Sequence, residues 1–139
     1  MSVFNVFDVA GSGMSAQMLR LNTVASNLAN SQTISATENE VYQARHPVFE
    51  TVLQQAQNPN DDTSLVKVRE IMTEKTPAIA LYRPNHPLAN KDGFVFTPKI
   101  DGIAEMADMI SASRNYQNNI EVLNTTKEML LRTLQLGQG

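Results

Sequence analysis

The hydrophobic pattern divides the chain into two helix-like ends and a strand-like middle. Toward the N-terminus, Phe4, Phe7, Gly11, Met14, Met18, Leu21, Ala25 and Leu28 recur at alternating steps of three and four residues. All are apolar or small, at the spacing of a helix packed along another helix. The pattern predicts a helix from about Val3 to Ala29, about 40 Å long at ~1.5 Å per residue. Ser2 is its expected N-cap, and Asn30, just past its end, is expected in the left-handed conformation. Toward the C-terminus the same rhythm runs through Met106, Met109, Ser113, Tyr116, Ile120, Leu123, Lys127, Leu130 and Leu134, interrupted only by Ser113 and Lys127. Asp101 is the expected N-cap of this second helix and Gly137 its stop, giving a length of about 50 Å.

The middle has another period. All six prolines lie between Pro47 and Pro98, which bars a long helix there. In "LVKVREIM", Val66 and Val68 alternate with Lys67 and Arg69, as in a half-buried strand. "AIALY" and "GFVF" are short β-like runs, and Asp92-Gly93 is a turn signal before the second. "VYQARHPVFETVL" reads as extended chain because of Pro47, and Gln57 to Asp62 as an exposed loop. The expected organisation is mainly α. Residues 1–36 and 101–139 are the N- and C-terminal helices, paired as a coiled coil, and residues 37–100 form a small, irregular, β-containing segment.

Charge changes this picture. Only 18% of the 139 residues are charged, against roughly 25% in ordinary domains. The deficit is concentrated at the N-terminus, where Asp8 and Arg20 are the only charged side chains before Thr37. The stretch "LNTVASNLANSQT" is amphipathic, yet its polar face is Asn, Ser, Thr and Gln. A helix exposed on a soluble monomer normally carries Lys, Glu and Arg there. "AGSGMSA" adds a patch of small residues. Gly11 and Gly13 fit either a kink or the close approach of another backbone. The second reading is favoured because Ala10, Ser12, Ser15 and Ala16 widen the small surface around the helix.

Candidate chemistry is sparse. The net charge of −3 argues against an extended nucleic-acid surface. His46 and His86 each precede a proline and have no cysteine or second histidine at ligand spacing, so no metal is expected. "LANKDG" resembles part of a calcium loop, but Leu88 and Lys99 fall where carboxylates belong. Asp61 and Asp62 read as a solvated acid pair. No phosphate loop, nucleophile elbow or zinc-protease signature is present, so neither an enzyme nor a cofactor is expected. The absence of cysteine rules out disulfides and thiolate sites. No uncharged apolar run approaches a membrane span, and the N-terminus lacks the pattern of a cleavable signal peptide.

Three motifs carry a family resemblance. "LRLNTVASNLANSQT", with Asn22, Asn27 and Asn30, followed by Tyr42, Arg45 and Phe49, resembles the N-terminal signature of the bacterial flagellar axial proteins: the rod, hook and hook-associated subunits. "EMADMISASRNYQNNIEVLNTTKEMLLRTLQLG" resembles their C-terminal signature, with Ser113, Arg114, Tyr116, Gln117 and Asn119 as its core. "YRPNHPLANKDGFVFTPKID" resembles the middle of the short proximal-rod subunits, although Lys99 stands where the family commonly has Asn. The resemblance implies export, without a cleaved signal, through the flagellar type III apparatus. It also implies assembly with copies of itself and with other rod subunits into a hollow shaft, whose inner tube is built from the terminal helices. Helices in such a tube meet protein on most sides, where unpaired charge is costly. The alternative reading is a coiled-coil adaptor or export chaperone. Such proteins usually carry charged flanking positions, which are mostly uncharged in the N-terminal helix.

Overall fold

A computed structural model describes residues 3–55 and 62–137. Helix α1 spans Val3–Asn30 and α2 spans Gly102–Gly137. Between them lie strands β1 (Arg45–Gln55), β2 (Asp62–Thr73), β3 (Ile79–Tyr82) and β4 (Phe94–Thr97). The expected strands in "LVKVREIM", "AIALY" and "GFVF" fall in β2, β3 and β4, and the extended reading around Pro47 falls in β1. Ser2 and the loop at 57–61, with Asp61, lie outside the described residues.

The helix ends follow from local chemistry. Asp101 caps α2: its Oδ1 accepts from the Ile103 and Ala104 amides at 2.9 and 3.3 Å, and its carbonyl accepts from the Glu105 amide at 3.0 Å. Asn30 corrects an expectation. It is the last residue of α1, and among the described residues only a glycine, Gly93, has positive φ. Its amide Nδ2 instead donates to the Ser26 carbonyl at 2.8 Å, closing the end of the helix with a side chain rather than a left-handed turn.

β1 and β2 form a long antiparallel hairpin with a bulge between Val48 and Phe49. Pro47 pairs with Ile71 in this two-stranded sheet, where each strand keeps a free edge and a proline is tolerated. β3 and β4 form a second, short hairpin. Its Tyr82 and Phe94 rings meet edge-to-face at 5.3 Å. Gly93, in the expected turn, has φ +80°, and a Cβ there would come within 2.9 Å of the Tyr82 ring. A bridge between Ser35 and Phe96 ties this hairpin to the chain leaving α1.

The helices run antiparallel along one another. Val6 shares an apolar groove with Thr126, Met129, Leu130 and Thr133, Gly13 lies against Asn119, and Arg20 reaches Asp108. The apolar interior is built from small side chains: Ala10, Ala16, Val24, Val41, Ala44, Val95 and Ala112. Such a core removes little apolar surface from water. Amide exchange in a dilute monomer is therefore expected to be weakly protected over residues 4–36 and 103–136, because long helices rely on a packed apolar face. Strong protection of both helices would contradict this.

Candidate assembly surface

The seam between the helices is mostly small and polar on its α1 side and carries larger apolar side chains on its α2 side. On α1 its positions are Val6, Ala10, Gly13, Gln17, Arg20, Val24 and Asn27, all buried or half-buried. On α2 they are Glu105, Met109, Ala112, Tyr116, Asn119, Leu123, Thr126 and Leu130, also buried or half-buried. Both sets keep the three-four rhythm that packs one helix along another. Arg20 crosses the seam to the Asp108 carboxylate at 2.8 Å, with the two side chains 28% and 48% exposed. At that exposure the pair contributes at most about 1 kcal/mol.

At one end of the seam lies a buried polar knot. Asn27 is 0% exposed. Its Oδ1 accepts from the Arg45 amide at 2.9 Å and from the Tyr42 hydroxyl at 3.0 Å. Its Nδ2 donates to the Arg45 carbonyl at 2.9 Å and to both oxygens of Glu105 at 3.2–3.3 Å. One amide thus joins α1, the start of β1 and α2. The Tyr42 hydroxyl also meets Ser26 Oγ at 3.1 Å, and the Arg45 guanidinium lies over the Tyr42 ring. Three of the expected motif residues, Asn27, Tyr42 and Arg45, meet here. Glu105 was not singled out from sequence. It sits one residue before the apolar Met106, so a search for an apolar stripe passes over it.

The hairpin docks on another side of α1. Asn5 Nδ2 donates to Thr63 Oγ1 at 2.8 Å, and Ser12 Oγ accepts from the Val66 amide at 3.2 Å. Ser12, Ser15 and Ala16 line a groove with Val66, Lys67 and Val68. Backbone therefore comes close to the small patch at Ser12. At Gly13 an added Cβ would lie 3.0 Å from Asn119 Nδ2, a side chain, and at Gly11 it would meet nothing within 4 Å.

The apolar positions expected from sequence lie beside the seam as well as in it. Met109, Tyr116, Leu123 and Leu130 are seam positions. Phe7, Met14, Leu21, Leu28 and Ile120 are half-buried on its flanks, and Leu28 Cδ1 reaches 3.6 Å from the Cβ position of Gly102. Ala25, Phe4, Met18, Met106 and Leu134 are exposed, Phe4 by 72%. Of the remaining motif residues, Phe49 and Asn30 are half-buried, while Asn22, Arg114 and Gln117 are exposed.

The outward face of α1 is a continuous exposed stripe: Phe4, Asp8, Gly11, Ser15, Met18, Asn22, Ala25 and Ala29. It holds one charge in eight positions. On α2, Ile103, Met106 and Ile110 are at least half exposed near one end, and Met129, Leu131, Leu134 and Leu136 near the other. These surfaces have the composition of contact faces rather than of a solvated helix.

Chemistry elsewhere is limited. His46 Nε2 lies 3.2 Å from an exposed Glu74 carboxylate, and His86 Nδ1 accepts from the Leu88 amide. Among the described residues no cluster of potential ligands could hold a metal ion, and no helix is long and apolar enough to cross a membrane.

Comparison with known proteins places this architecture. Residues 7–34 match the family model described as flagella basal body rod protein, and residues 91–136 the model described as flagellar basal body rod FlgEFG protein C-terminal. The two matches cover most of α1 and all but the last residue of α2. The chain is 44% identical to the flagellar basal-body rod protein FlgC of Yersinia enterocolitica, over 99% of its own length and 100% of that protein. The same identity and coverage hold for the protein of that name from Salmonella typhimurium. The FlgC of Aquifex aeolicus is 40% identical over 97% of both chains. The motifs at both ends, the small-residue seam and this end-to-end similarity lead to one conclusion: the chain belongs to the flagellar basal-body rod protein FlgC family.

Proposed function

We propose that the chain is a structural subunit of the proximal flagellar rod and not an enzyme. In this reading α1 and α2 associate as a coiled coil and pack beside those of neighbouring subunits to form the inner layer, residues 1–36 and 101–139. Residues 37–100 form the outer layer. The chain leaves the cell unfolded through the type III export apparatus, with no cleaved signal. In the periplasm it joins copies of itself and other rod subunits in a helical tube. That tube transmits torque toward the hook and encloses the export channel. The observation that carries this reading is the end-to-end 44% identity to flagellar basal-body rod proteins. The nearly uncharged outward stripe of α1 supports it independently, because a helix bearing Met, Ala, Gly and Asn outward is suited to meeting protein.

The direct test is deletion and complementation in the source bacterium. Cells lacking the chain should secrete other export substrates poorly beyond the rod and should not swim, and the tagged chain should fractionate with basal bodies. Swimming without it would overturn the reading. A finer test uses Leu21 and Leu123, one half-buried on each helix. Leu21→Asp or Leu123→Asp loses about 1–2 kcal/mol of apolar burial in the chain itself, and more where a neighbour covers the site and leaves the carboxylate unpaired. Each substitution is expected to abolish swimming while secretion of the subunit continues. Normal swimming with both would remove these positions from any interface.

A further inference from the structure

The outward face of α1, and that of α2 as far as Ile120, each hold one stray charge. Of the two charged residues of α1, Arg20 is engaged by Asp108 across the seam, whereas Asp8 is exposed and makes no hydrogen bond or ion pair among the described residues. In α2 up to Ile120, Glu105 is held by Asn27 and Asp108 by Arg20, which leaves Arg114, exposed and equally without a partner. The two charges are opposite in sign, and they cannot meet within one chain. Gly13 lies against Asn119 and Arg20 against Asp108, so Arg114 is level with a point between Gly13 and Arg20, about 12–15 Å along the axis from Asp8. Asp8 precedes the buried Ala10 by two residues, and Arg114 follows the buried Ala112 by two, which turns each about 200° around its helix, away from the seam.

Resting on the rod-subunit reading, we propose that Asp8 of one copy forms an ion pair with Arg114 of a second copy, displaced by about 12–15 Å along the helix axis. Asp8 is the lone charge on the outward face of α1, and Arg114 the lone unpaired charge on α2 between Gly102 and Ile120, where the other exposed side chains are apolar, small or amide; Glu121 follows about two turns later. Covering either surface with uncharged protein would leave a desolvated, unpaired charge. Bringing the two faces together neutralises both, and an arginine fork suits a carboxylate. The axial displacement also makes the contact head to tail: the pair leaves Arg114 of the first copy and Asp8 of the second free for further copies, as an open assembly requires.

Charge reversal in the full-length chain tests this. Asp8→Arg and Arg114→Asp should each lower the yield of assembled basal bodies at least tenfold, with Arg114→Asp still secreted. The double reversal should restore at least half of the wild-type yield. Glu121→Arg, on the same exposed side of α2, should not rescue Arg114→Asp. Wild-type assembly with either single reversal, no recovery in the double, or rescue by Glu121→Arg would each overturn the pairing. Because the chain has no cysteine, Asp8→Cys combined with Arg114→Cys gives a second measurement that does not depend on export of Asp8→Arg. A short bis-maleimide applied to purified basal bodies should yield a product of twice the subunit mass. No product, or one containing a different protein, would refute a second copy as the partner. A strain that swims without the chain altogether would instead disprove the rod reading itself.

Discussion

Replacing Asn27 with alanine is expected to be the most damaging single truncation in the chain. It removes both acceptor contacts, from the Arg45 amide and the Tyr42 hydroxyl, and both donor contacts, to the Arg45 carbonyl and Glu105. The site is buried, and each orphaned polar group costs roughly 1–3 kcal/mol. Relaxation and entering water would recover part of this, leaving a loss of about 3–5 kcal/mol. On an interior of alanine and valine that is most of the available margin. Far-UV circular dichroism of the purified Asn27→Ala chain should show reduced helicity, and cells carrying it should not assemble rods. Asn27→Asp tests the donors separately: it preserves the two acceptor contacts but places a second carboxylate against Glu105. It should be at least as harmful near neutral pH. Wild-type helicity and swimming in both variants would mean that the knot does not hold α1, β1 and α2 together.

The same knot shows what was legible in the sequence. Asn27, Tyr42 and Arg45 were marked by family resemblance, but nothing in their spacing indicated that one amide would bridge three elements. Their partner Glu105 went unmarked, since a buried glutamate has no periodic signature and its position beside Met106 resembles a helix surface. The elements themselves were readable. Proline distribution separated helix from strand, and the alternation in "LVKVREIM" set β2. Asp101 marked the start of α2, because its side chain caps the first amides whatever else happens in the fold. The end of α1 was read less well: Asn30 favours a left-handed turn, but its side chain found the Ser26 carbonyl instead.

Helix phase was the hardest feature to read. In a monomer the widest apolar stripe points at the core, so periodicity identifies the buried face. In α1 the large apolar residues at Phe4, Met14, Met18 and Leu21 lie beside the intramolecular seam or away from it. The seam itself carries Gly13, Gln17, Arg20 and Asn27. That side of the seam is held by shape and specific hydrogen bonds, which leave no hydrophobic pattern, whereas on α2 the stripe through Met109, Tyr116, Leu123 and Leu130 does mark the seam. A helix with apolar or small residues around most of its circumference has several faces to cover, and period alone does not rank them. The outward stripe ending at Ala29 shows this most clearly, since it keeps the same rhythm as the seam with nothing among the described residues to cover it.

Gly11 and Gly13 separate these two kinds of face in one experiment. Gly13 belongs to the intramolecular seam. Its added Cβ would lie 3.0 Å from Asn119 Nδ2, and valine would push further into the same space. Overpacking of this kind typically costs about 1–3 kcal/mol, so the purified Gly13→Val chain should lose helicity even as a monomer. Gly11 belongs to the outward stripe, and its Cβ position is open. Gly11→Ala should stabilise the isolated chain by up to about 1 kcal/mol, because alanine is the better helix former, and Gly11→Val should be nearly neutral there. If a neighbouring subunit packs closely on that stripe, Gly11→Val should nevertheless block rod assembly, since every copy in the shaft would carry the same clash. The expected pattern is therefore asymmetric: Gly13→Val is defective in the monomer and in cells, whereas Gly11→Val is sound as a monomer and fails only on assembly. Secretion must be measured alongside, so that a block at export is not taken for a block at assembly. Wild-type swimming by Gly11→Val would show that no neighbour approaches the stripe closely at this position. A monomer defect in Gly11→Val as large as that of Gly13→Val would show that both glycines lie in the chain's own interior.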